Sequence, residues 1–492
     1  MDQYSQENSI YAVIDNKTYQ EKIIHLIQHR FGIVIHSHQL NELNKILDEA
    51  FIKYSLSPEQ YVKLLAEAPE STPLLDDLMA KITVGETYFF RDKNQVKLLQ
   101  EVILPAIIKK KRAANDLSIR IWSAGCASGE EIYTVVMILT ELLPDIDKWK
   151  LQLLGTDVNT MALKKGLNGR YNEWSMRSIN DYYKKCYFKK ENNAYLLIED
   201  IRDKVDFIYL NLNDNTYPSI FNGTNAQDLI LCRNVLIYFS EDNIKHIMMK
   251  LCSSLVEDGY LLLGASDPVN VKNLDLVFVK NSLFVHKKLA QPVFRVEEKH
   301  TLKPPILKPN LSKNKIIKTS HRASHEITQA MVLSFIKNGQ WYEALKIIDS
   351  YKQHKMDAFI LNANATVLAN LGNLEDAIKL CEESIKIDPI NVQTHFILAM
   401  SLVELNEMKS AEDELRKVIF LDKNYVQAHF QLGLLLLRIK KHDMGIKCLK
   451  NALMIAKSSS QSNFVPGFDE LTYGKLSEIL GREIELHNIS RG

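Results

Sequence analysis

The sequence lacks an excess of charge of either sign. Its 61 lysines and arginines are balanced by 60 aspartates and glutamates, which leaves a formal net charge of +1. A protein that binds nucleic acid or an anionic membrane surface through its overall field needs a large positive charge. The balance therefore predicts that nucleic acid is not a partner.

Cysteine and long apolar runs are also scarce. The six cysteines are scattered and form no Cys-x-x-Cys pair, which fits reduced thiols better than a disulfide framework or a zinc site. No uninterrupted apolar run approaches ~18 residues, and residues 1–16 lack the basic start and apolar core of a signal peptide. His36 and His38 have no acid or thiol cluster near them. We therefore expect a cytoplasmic protein without direct membrane insertion and without a metal site.

The two standard phosphate-binding loops are missing. The chain has neither Gly-x-x-x-x-Gly-Lys nor a complete Gly-x-Gly-x-x-Gly. Instead, an apolar run at 119–122 leads to small residues at 123–129 and to a helix that opens with Glu130 and Glu131. Acids suit the first turn of a helix but would repel a phosphate. A strand, a glycine turn and a helix together let a cofactor approach the backbone closely. The two acids suit a cofactor with hydroxyl and ammonium groups, such as S-adenosylmethionine.

Strands and helices alternate from residue 119 to 290, which predicts a mostly parallel sheet covered by helices on both faces. Sites in such sheets lie outside the carboxyl ends of the strands. Polar groups follow four of the predicted strands: Gly125 to Glu130, Asp157, Asn211, and Cys232-Arg233-Asn234. The sequence therefore predicts that these groups meet at one edge of the sheet.

The region before the sheet is predicted to be helical. Thr18, Ser37 and Ser57 are placed to start helices, and the simplest interpretation is a bundle packed on the following domain. A later helix is predicted from Asn94 to about Lys111, with a bend near Pro105. Between them, the aromatic segment 83–92 is either a buried junction or the place where Thr87 and Arg91 face a ligand.

The last third of the chain repeats. Gln393-Thr394-His395-Phe396 recurs 34 residues later as Gln427-Ala428-His429-Phe430, and small residues keep the same spacing. This period predicts tetratricopeptide repeats, which are stacked helix pairs with a concave surface for partner proteins. A Pro- and Lys-rich linker precedes them at 291–325. Residues 468–487 are predicted to form an amphipathic helix that covers the apolar face of the last repeat.

Taken together, the motifs resemble those of the chemotaxis receptor glutamate methyltransferases, the CheR family, over about residues 15–288. The repeats make the chain similar to the members that carry tetratricopeptide repeats. The resemblance rests on TYFFRD at 87–92, WSAGCASGEE at 122–131, Thr156-Asp157, Asn211-Leu212, CRNVLIYF at 232–239 and GYLLLG at 259–264.

The predicted architecture is an α/β, Rossmann-like methyltransferase joined to an all-α repeat solenoid. Its parts are an N-terminal helical subdomain at 1–82, the S-adenosylmethionine-dependent domain at 83–290 with a hairpin at about 187–198, the linker at 291–325, the repeats at 326–457, and a capping helix and tail at 458–492.

The resemblance implies methyl transfer from S-adenosylmethionine to glutamate side chains on the cytoplasmic helical domain of methyl-accepting receptors, with recruitment to receptor arrays at the inner membrane. The partner of the repeats stays unidentified. The cofactor-binding residues implied are Thr87, Arg91, Gly125, Glu130, Asp157, Asn211, Leu212, Cys232 and Arg233. Arg91 and Tyr238 are the implied catalytic residues, near the methyl group and the incoming carboxylate.

Three features depart from the family pattern. Gly85 stands where the family commonly has Asn, the N-terminal helices carry few basic residues on one face, and the hairpin turn near 191–193 is short and lacks glycine. Two other functions stay open. One is a catalytically weak methyltransferase fold kept as a scaffold for partners of the repeats, which Gly85 alone supports. The other is a methyltransferase acting on RNA or an amine, which the balanced charge argues against.

Overall fold

The computed structural model describes residues 18–67, 73–83, 86–268, 274, 276–279, 285–288, 329–336, 340–351, 357–466 and 468–488. Gly85 and the predicted linker 291–325 lie outside these ranges. Within them, no helix combines the length and apolar character needed to span a bilayer.

The centre of the fold is a seven-stranded sheet within the described residues, with the strand order β6–β2–β1–β7–β8–β10–β9. Its strands are β1 Ser118–Ala124, β2 Lys150–Asp157, β6 Val205–Tyr209, β7 Gln227–Cys232, β8 Leu255–Leu263, β9 Leu276–Phe278 and β10 Val285–Lys288. The first five strands in spatial order are parallel to one another. At one edge, β10 pairs antiparallel with β8 and with β9. The predicted mostly parallel sheet is confirmed, so its strands end at a common edge.

Helices cover this sheet on both faces. They are Lys93–Leu98, Leu104–Ala113, Glu130–Leu142, Thr160–Asn168, Asp181–Tyr187, Glu199–Arg202 and Glu241–Ser254. Apolar side chains of β1 alternate between the two faces. Ile119 and Ile121 enter one buried cluster, and Trp122 enters the other. A small sheet of β3 Arg170–Tyr171, β4 Phe188–Glu191 and β5 Ala194–Leu197 contains the predicted hairpin.

The N-terminal region is helical, as the sequence predicts. Its helices are Tyr19–Phe31, Leu40–Tyr54, Pro58–Glu67 and Pro73–Ile82. Thr18 caps the first by accepting a hydrogen bond from the Glu21 amide, and the Glu21 side chain accepts from the Thr18 amide. This capping box satisfies two otherwise unpaired donors. Ile23, Ile27 and Leu47 are fully buried between the helices.

The bend predicted near Pro105 is a turn of π-helix at Leu99–Ile103, between the helices Lys93–Leu98 and Leu104–Ala113. Proline has no amide hydrogen and its ring displaces the carbonyl four residues before it. One wide turn accommodates that disruption without ending the helix.

Two element predictions need correction. β8 begins at Leu255, five residues before the predicted start at Tyr260, because the polar stretch Glu257–Gly259 bulges within the strand, with Asp258 at a φ of 64°. The helical stretch predicted at 175–186 is a 3-10 turn at Glu173–Met176 and a separate helix that Asn180 caps.

The repeat helices keep the 34-residue spacing of the sequence. Helix pairs lie at Ala358–Asn370 with Leu374–Ile387, Val392–Glu404 with Met408–Leu421, and Val426–Arg438 with His442–Ser458, and an earlier helix spans Trp341–Tyr351. A Cβ on Gly433 would lie 2.6 Å from the Leu449 side chain and 3.2 Å from the Gly445 carbonyl. The small residues therefore permit the close crossing of each helix pair.

The closing helix spans Tyr473–Asn488, and a hairpin of β11 Phe464–Val465 and β12 Phe468–Thr472 precedes it. Sequence reasoning extended the helix back to 468 and missed the hairpin. Leu476, Leu480 and Ile484 do pack on the last repeat, as expected. The polar side of this helix, however, is buried against the sheet and the N-terminal helices.

A loop of the sheet domain packs on part of the inner face of the repeats, which we define as the face formed by the first helix of each pair. A cavity of about 560 Å³ remains between this face and the sheet domain. Ile220 is buried in the repeat core. The Phe221 ring stacks on Phe396, with centroids 5.2 Å apart at 18°, and Gln431 donates to the Phe221 carbonyl at 2.6 Å. The groove expected to receive a partner is partly occupied by the chain itself.

Polar contacts fix the same interface. The buried Arg120 of β1 pairs with Glu404 of the repeats, and Gln152 of β2 donates to Glu404 at 3.2 Å. Asn225 accepts from Arg120 at 3.0 Å and donates to the Ala369 carbonyl at 3.2 Å. Buried charges are costly unless paired, so these contacts disfavour separation of repeats and sheet.

Replacing Phe221 by alanine should remove the ring stack and cost roughly 2 kcal/mol of unfolding free energy. The measurement is the thermal unfolding midpoint by calorimetry. Phe420→Ala is the control, because that ring is 88% exposed, and a change within about 0.5 kcal/mol is expected for it. Equal midpoints for the two variants would contradict the seating of the loop.

Glu483 on the closing helix generates a pH prediction. Its carboxyl accepts from the Tyr209 amide at 2.8 Å, and burial raises its pKa from 4.5 to about 8. The folded chain then holds a proton that the unfolded chain has released. The contribution of Glu483 to the free energy of unfolding should therefore fall as the pH rises from 4.5 to about 8 and level off above the folded pKa. Below pH ~6.5 the lowered pKa of His487 opposes this fall. His487 lies 3.7 Å away, but burial lowers its pKa to about 4, so it is neutral above pH ~6.5 in both states.

Glu483→Gln keeps an acceptor for Tyr209 and should flatten this slope, by about 1 kcal/mol per pH unit between pH ~6.5 and ~8. Denaturant titrations at a series of pH values give the slope. Glu375→Gln, at an exposed repeat position, should keep the unaltered slope. A slope that survives in Glu483→Gln would show that another group holds the proton.

Candidate functional site

A cavity of about 400 Å³ lies at the carboxyl ends of the central strands, between the sheet and the N-terminal helices. This volume is within the range of small-molecule sites. Eight predicted site residues line it: Thr87, Arg91, Gly125, Asp157, Asn211, Leu212, Arg233 and Tyr238. The fold therefore brings together residues that are up to 151 positions apart in the sequence.

The turn after β1 forms one wall. The amides of Gly125 and Cys126 donate to the Thr156 carbonyl at 2.8 and 2.9 Å, which ties the turn to β2. Gly125 has a φ of 77°, and a Cβ there would lie 2.5 Å from the Val235 side chain. Both the backbone angle and the packing require glycine.

Asp157, the last residue of β2, anchors the same turn. One carboxylate oxygen accepts from the Ala127 amide and the other from the Asn159 amide, each at 2.8 Å. Burial raises the pKa of Asp157, while these backbone donors oppose the rise. The Val158 amide also donates to this carboxylate, so three of its about four acceptor sites are used and one is left for a further donor. The carboxylate can therefore accept a hydrogen bond from a hydroxyl group of a ligand.

Of the two acids that open the helix, Glu131 faces the cavity. It accepts from Ser123 at 2.7 Å and pairs with Arg233 at 3.0 Å. Arg233 also donates to the Arg91 carbonyl at 2.9 Å. The Glu131–Arg233 pair thus connects the turn to the segment that carries Arg91. Sequence reasoning did not single out Glu131 as a ligand.

Glu130 lies behind the wall. It is fully buried, and its carboxylate accepts from Ser128 at 2.7 Å and Ser175 at 3.0 Å, with Lys165 at 3.6 Å. Cys232 is also fully buried, and burial raises the pKa of its thiol well above the ordinary value. Neither lines the cavity, so their side chains can act on a ligand only by holding the backbone in place. Their predicted contact with a cofactor stays a prediction.

Arg91 and Tyr238 supply the polar groups of the opposite wall. The Arg91 guanidinium donates to the Glu86 carbonyl and lies 5.8 Å from the Tyr88 ring centroid. Burial raises the pKa of Tyr238, although the charge of Arg91 opposes the rise. Tyr238 therefore keeps its proton at neutral pH and can donate a hydrogen bond beside a fixed positive charge.

The N-terminal helices contribute residues that sequence reasoning missed. Phe31 and Ile33 line the cavity, and the Val34 amide donates to the Tyr238 carbonyl at 2.8 Å. The first helix ends at Gly32 with a φ of 71°, where a Cβ would lie 2.7 Å from Asn243. A glycine directly after the predicted helix was the available signal for this close approach.

Asp267 was also missed. Its carboxylate accepts from the amides of Asn234, Val235, Leu236 and Gly264 at 2.6–3.0 Å. These bonds fix the turn that follows β7 and presses Val235 against Gly125. In the sequence, the available signal for this role was an acid three residues after the last glycine of GYLLLG.

Two expectations concern features outside this cavity. Gly85, the departure from the family pattern, lies outside the described residues. The described ranges contain no group of three or more His, Cys, Asp and Glu side chains arranged to hold a metal ion, and the rings of His36 and His38 stack 5.7 Å apart.

Comparison with known proteins gives two family matches. Residues 85–285 match the model of the CheR methyltransferase, SAM binding domain. Residues 362–391 and 426–459 match a tetratricopeptide repeat model.

Three curated relatives are similar over about half of the chain. The chemotaxis protein methyltransferase of Borreliella burgdorferi is 32% identical over 265 residues, which are 52% of this chain and 90% of that protein. Chemotaxis protein methyltransferase 1 of Pseudomonas aeruginosa is 32% identical, over 49% of this chain and 86% of its own length. Chemotaxis protein methyltransferase 2 of Vibrio cholerae is 32% identical, over 43% and 70%.

Proposed function

Because the chain belongs to the family of chemotaxis protein methyltransferases, we propose that it methylates glutamate side chains of methyl-accepting chemotaxis receptors. The family supports S-adenosylmethionine as the methyl donor. The products are a glutamyl methyl ester and S-adenosylhomocysteine. The observation that carries the proposal is the cavity in which Asp157, Glu131, Arg91 and Tyr238 face one another.

The residues present fit such a cofactor. Asp157 keeps an acceptor site for a ribose hydroxyl, and the carboxylate of Glu131 favours an ammonium group. Gly125 lines the cavity, and its φ of 77° and the packing of Val235 fix the course of the backbone turn there. Asn211 and Leu212 line the cavity as well.

The chemistry asks for orientation more than for acid–base catalysis. When bound, S-adenosylmethionine supplies a methyl group on a positively charged sulfur. A glutamate with a pKa near ~4.3 is already ionised at neutral pH, so the chain needs no general base. Arg91 orients the incoming carboxylate through charge-assisted hydrogen bonds, and Tyr238 donates a hydrogen bond to it.

The N-terminal wall contributes by excluding water. Phe31 and Ile33 place apolar surface over the cavity. Water would shield the opposite charges that this reaction brings together, so a drier site favours the transfer. The N-terminal helices therefore take part in catalysis through the shape of the cavity.

The repeats provide a surface for a protein partner, which this structure does not identify. Their inner face is partly occupied by Ile220 and Phe221. A partner therefore binds another surface of the repeats or displaces this loop.

A labelling experiment tests the proposal. The full chain is incubated with methyl-labelled S-adenosylmethionine and a receptor cytoplasmic fragment, and the product is treated with alkali. A glutamyl ester releases volatile methanol, whereas methylated amines and bases keep their label. Alkali-stable label would indicate the RNA or amine methyltransferase, and absence of S-adenosylmethionine binding by calorimetry would indicate the scaffold.

Arg91→Ala should lower kcat for receptor methylation by roughly 100-fold, because a positioned charge beside the reacting carboxylate is lost. Initial rates with the receptor fragment give the value. Arg112→Ala is the control, since Arg112 also stacks on an aromatic ring, Trp149, but pairs with Asp145 away from the cavity. Full turnover by Arg91→Ala would remove this residue from the mechanism.

A further inference from the structure

Five charged side chains form a line beneath the closing helix, which we call the buried charge ladder: Asp76, Arg482, Glu478, Lys475 and Asp214. Asp76 and Arg482 lie 2.6 Å apart, Arg482 and Glu478 3.5 Å, Glu478 and Lys475 3.2 Å, and Lys475 and Asp214 3.1 Å. Arg482 is fully buried, and Glu478 and Asp76 are nearly so. The ladder runs from the N-terminal helices to the loop after β6.

The last member of the ladder touches the wall of the cavity. Asp214 accepts from the Asn211 side-chain amide at 3.1 Å through the oxygen that Lys475 does not contact. The second amide hydrogen of Asn211 goes to the Arg30 carbonyl at 2.8 Å, and its oxygen accepts from the Asn213 amide at 3.0 Å. Both amide hydrogens are therefore used within the protein, and this side chain holds the backbone at 211–212.

Lys475 pairs with the Asp214 carboxylate and favours its ionised form. Burial raises the pKa of Asp214, and the charge of Lys475 is the largest opposing effect. Burial alone would lower the pKa of Lys475, but the charges of Asp214 and Glu478 raise it. A buried carboxylate that loses its cation takes up a proton or moves toward water. Either change alters the acceptor that Asn211 depends on.

A second lysine holds the same loop differently. Lys250, on the helix Glu241–Ser254, donates to the Leu212 carbonyl at 3.1 Å and the Asp214 carbonyl at 2.7 Å. Lys250 binds the main chain of the loop, whereas Lys475 pairs with the Asp214 carboxylate. Removing Lys475 should therefore shift Asn211 without unfolding the loop.

We propose that Lys475 is a positioning residue for the cofactor site. It acts from the closing helix through Asp214 and Asn211, and it sets the backbone at Asn211 and Leu212 against which the cofactor binds. Residue 475 lies outside the segment 85–285 that matches the methyltransferase model. The cofactor site is thus completed by the part of the chain that follows the repeats. The inference rests on the proposed function, because it assumes that S-adenosylmethionine occupies the cavity.

The test is the affinity of the full chain for S-adenosylhomocysteine, measured by calorimetry together with the thermal midpoint of each sample. Lys475→Met should raise the Kd about 5- to 10-fold, and Lys475→Arg, which keeps the charge, should return it to within about 2-fold. With the receptor fragment, Lys475→Met should raise KM for S-adenosylmethionine and leave kcat unchanged.

Lys440→Met is the matched control. Lys440 joins the repeats to the sheet domain, through Glu199 and Asp203 at 2.7 Å. It is exposed, and these partners precede β6, whereas Asp214 follows it. Its Kd should stay within about 2-fold of the unaltered chain. Should Lys475→Met fail to fold, the double variant Lys475→Met with Asp214→Asn leaves no unpaired charge and should still bind more weakly than the unaltered chain.

The outcomes separate the two proposals. A lowered midpoint with an unchanged Kd in Lys475→Met would reduce Lys475 to a stability role and overturn the inference alone. An equal loss of affinity in Lys440→Met would also overturn it, because the effect would belong to the whole interface. Absence of binding by the unaltered chain would overturn the proposed function and, with it, the inference.

Discussion

Parallel pairing of the central strands is the constraint on which the site depends. Because β6, β2, β1 and β7 run in one direction, their ends reach the same edge, and each delivers one polar turn there. Hydrogen bonds between the turns fix their order: Asp157 holds the turn after β1, and Asp267 holds the turn after β7. No single motif forms the cavity, since each turn supports the next.

The parts that could be predicted from sequence are those whose cause is local. Small residues followed by acids define the turn after β1, and the 34-residue period defines the repeat helices. The closing helix was predicted as amphipathic from its local pattern, and nothing in that pattern signals a buried charged face, because charged side chains are rarely buried. Arg482 is instead paired with Asp76, 406 positions away. No local pattern contains the identity of such a partner.

The same limit explains what was missed within the site. Glu130 and Glu131 are neighbours with the same chemistry, and only their helical phase decides which one faces the cavity. Phe31 and Ile33 look like ordinary core residues until the first helix is placed against Tyr238. Ile220 and Phe221 look like part of a surface loop until the repeats pack over them. In each case the information is in the packing of distant segments.

A partner that used the occupied inner face of the repeats would have to displace Ile220 and Phe221. A loop of the same chain competes at an effective concentration that dilution does not lower. An outside protein that uses this face therefore binds more weakly than its contacts alone would allow. With the closed arrangement favoured by about 100 to 1, its apparent Kd rises about 100-fold. The strength of the contact between Phe221 and Phe396 would thus set the concentration at which such a partner displaces the loop.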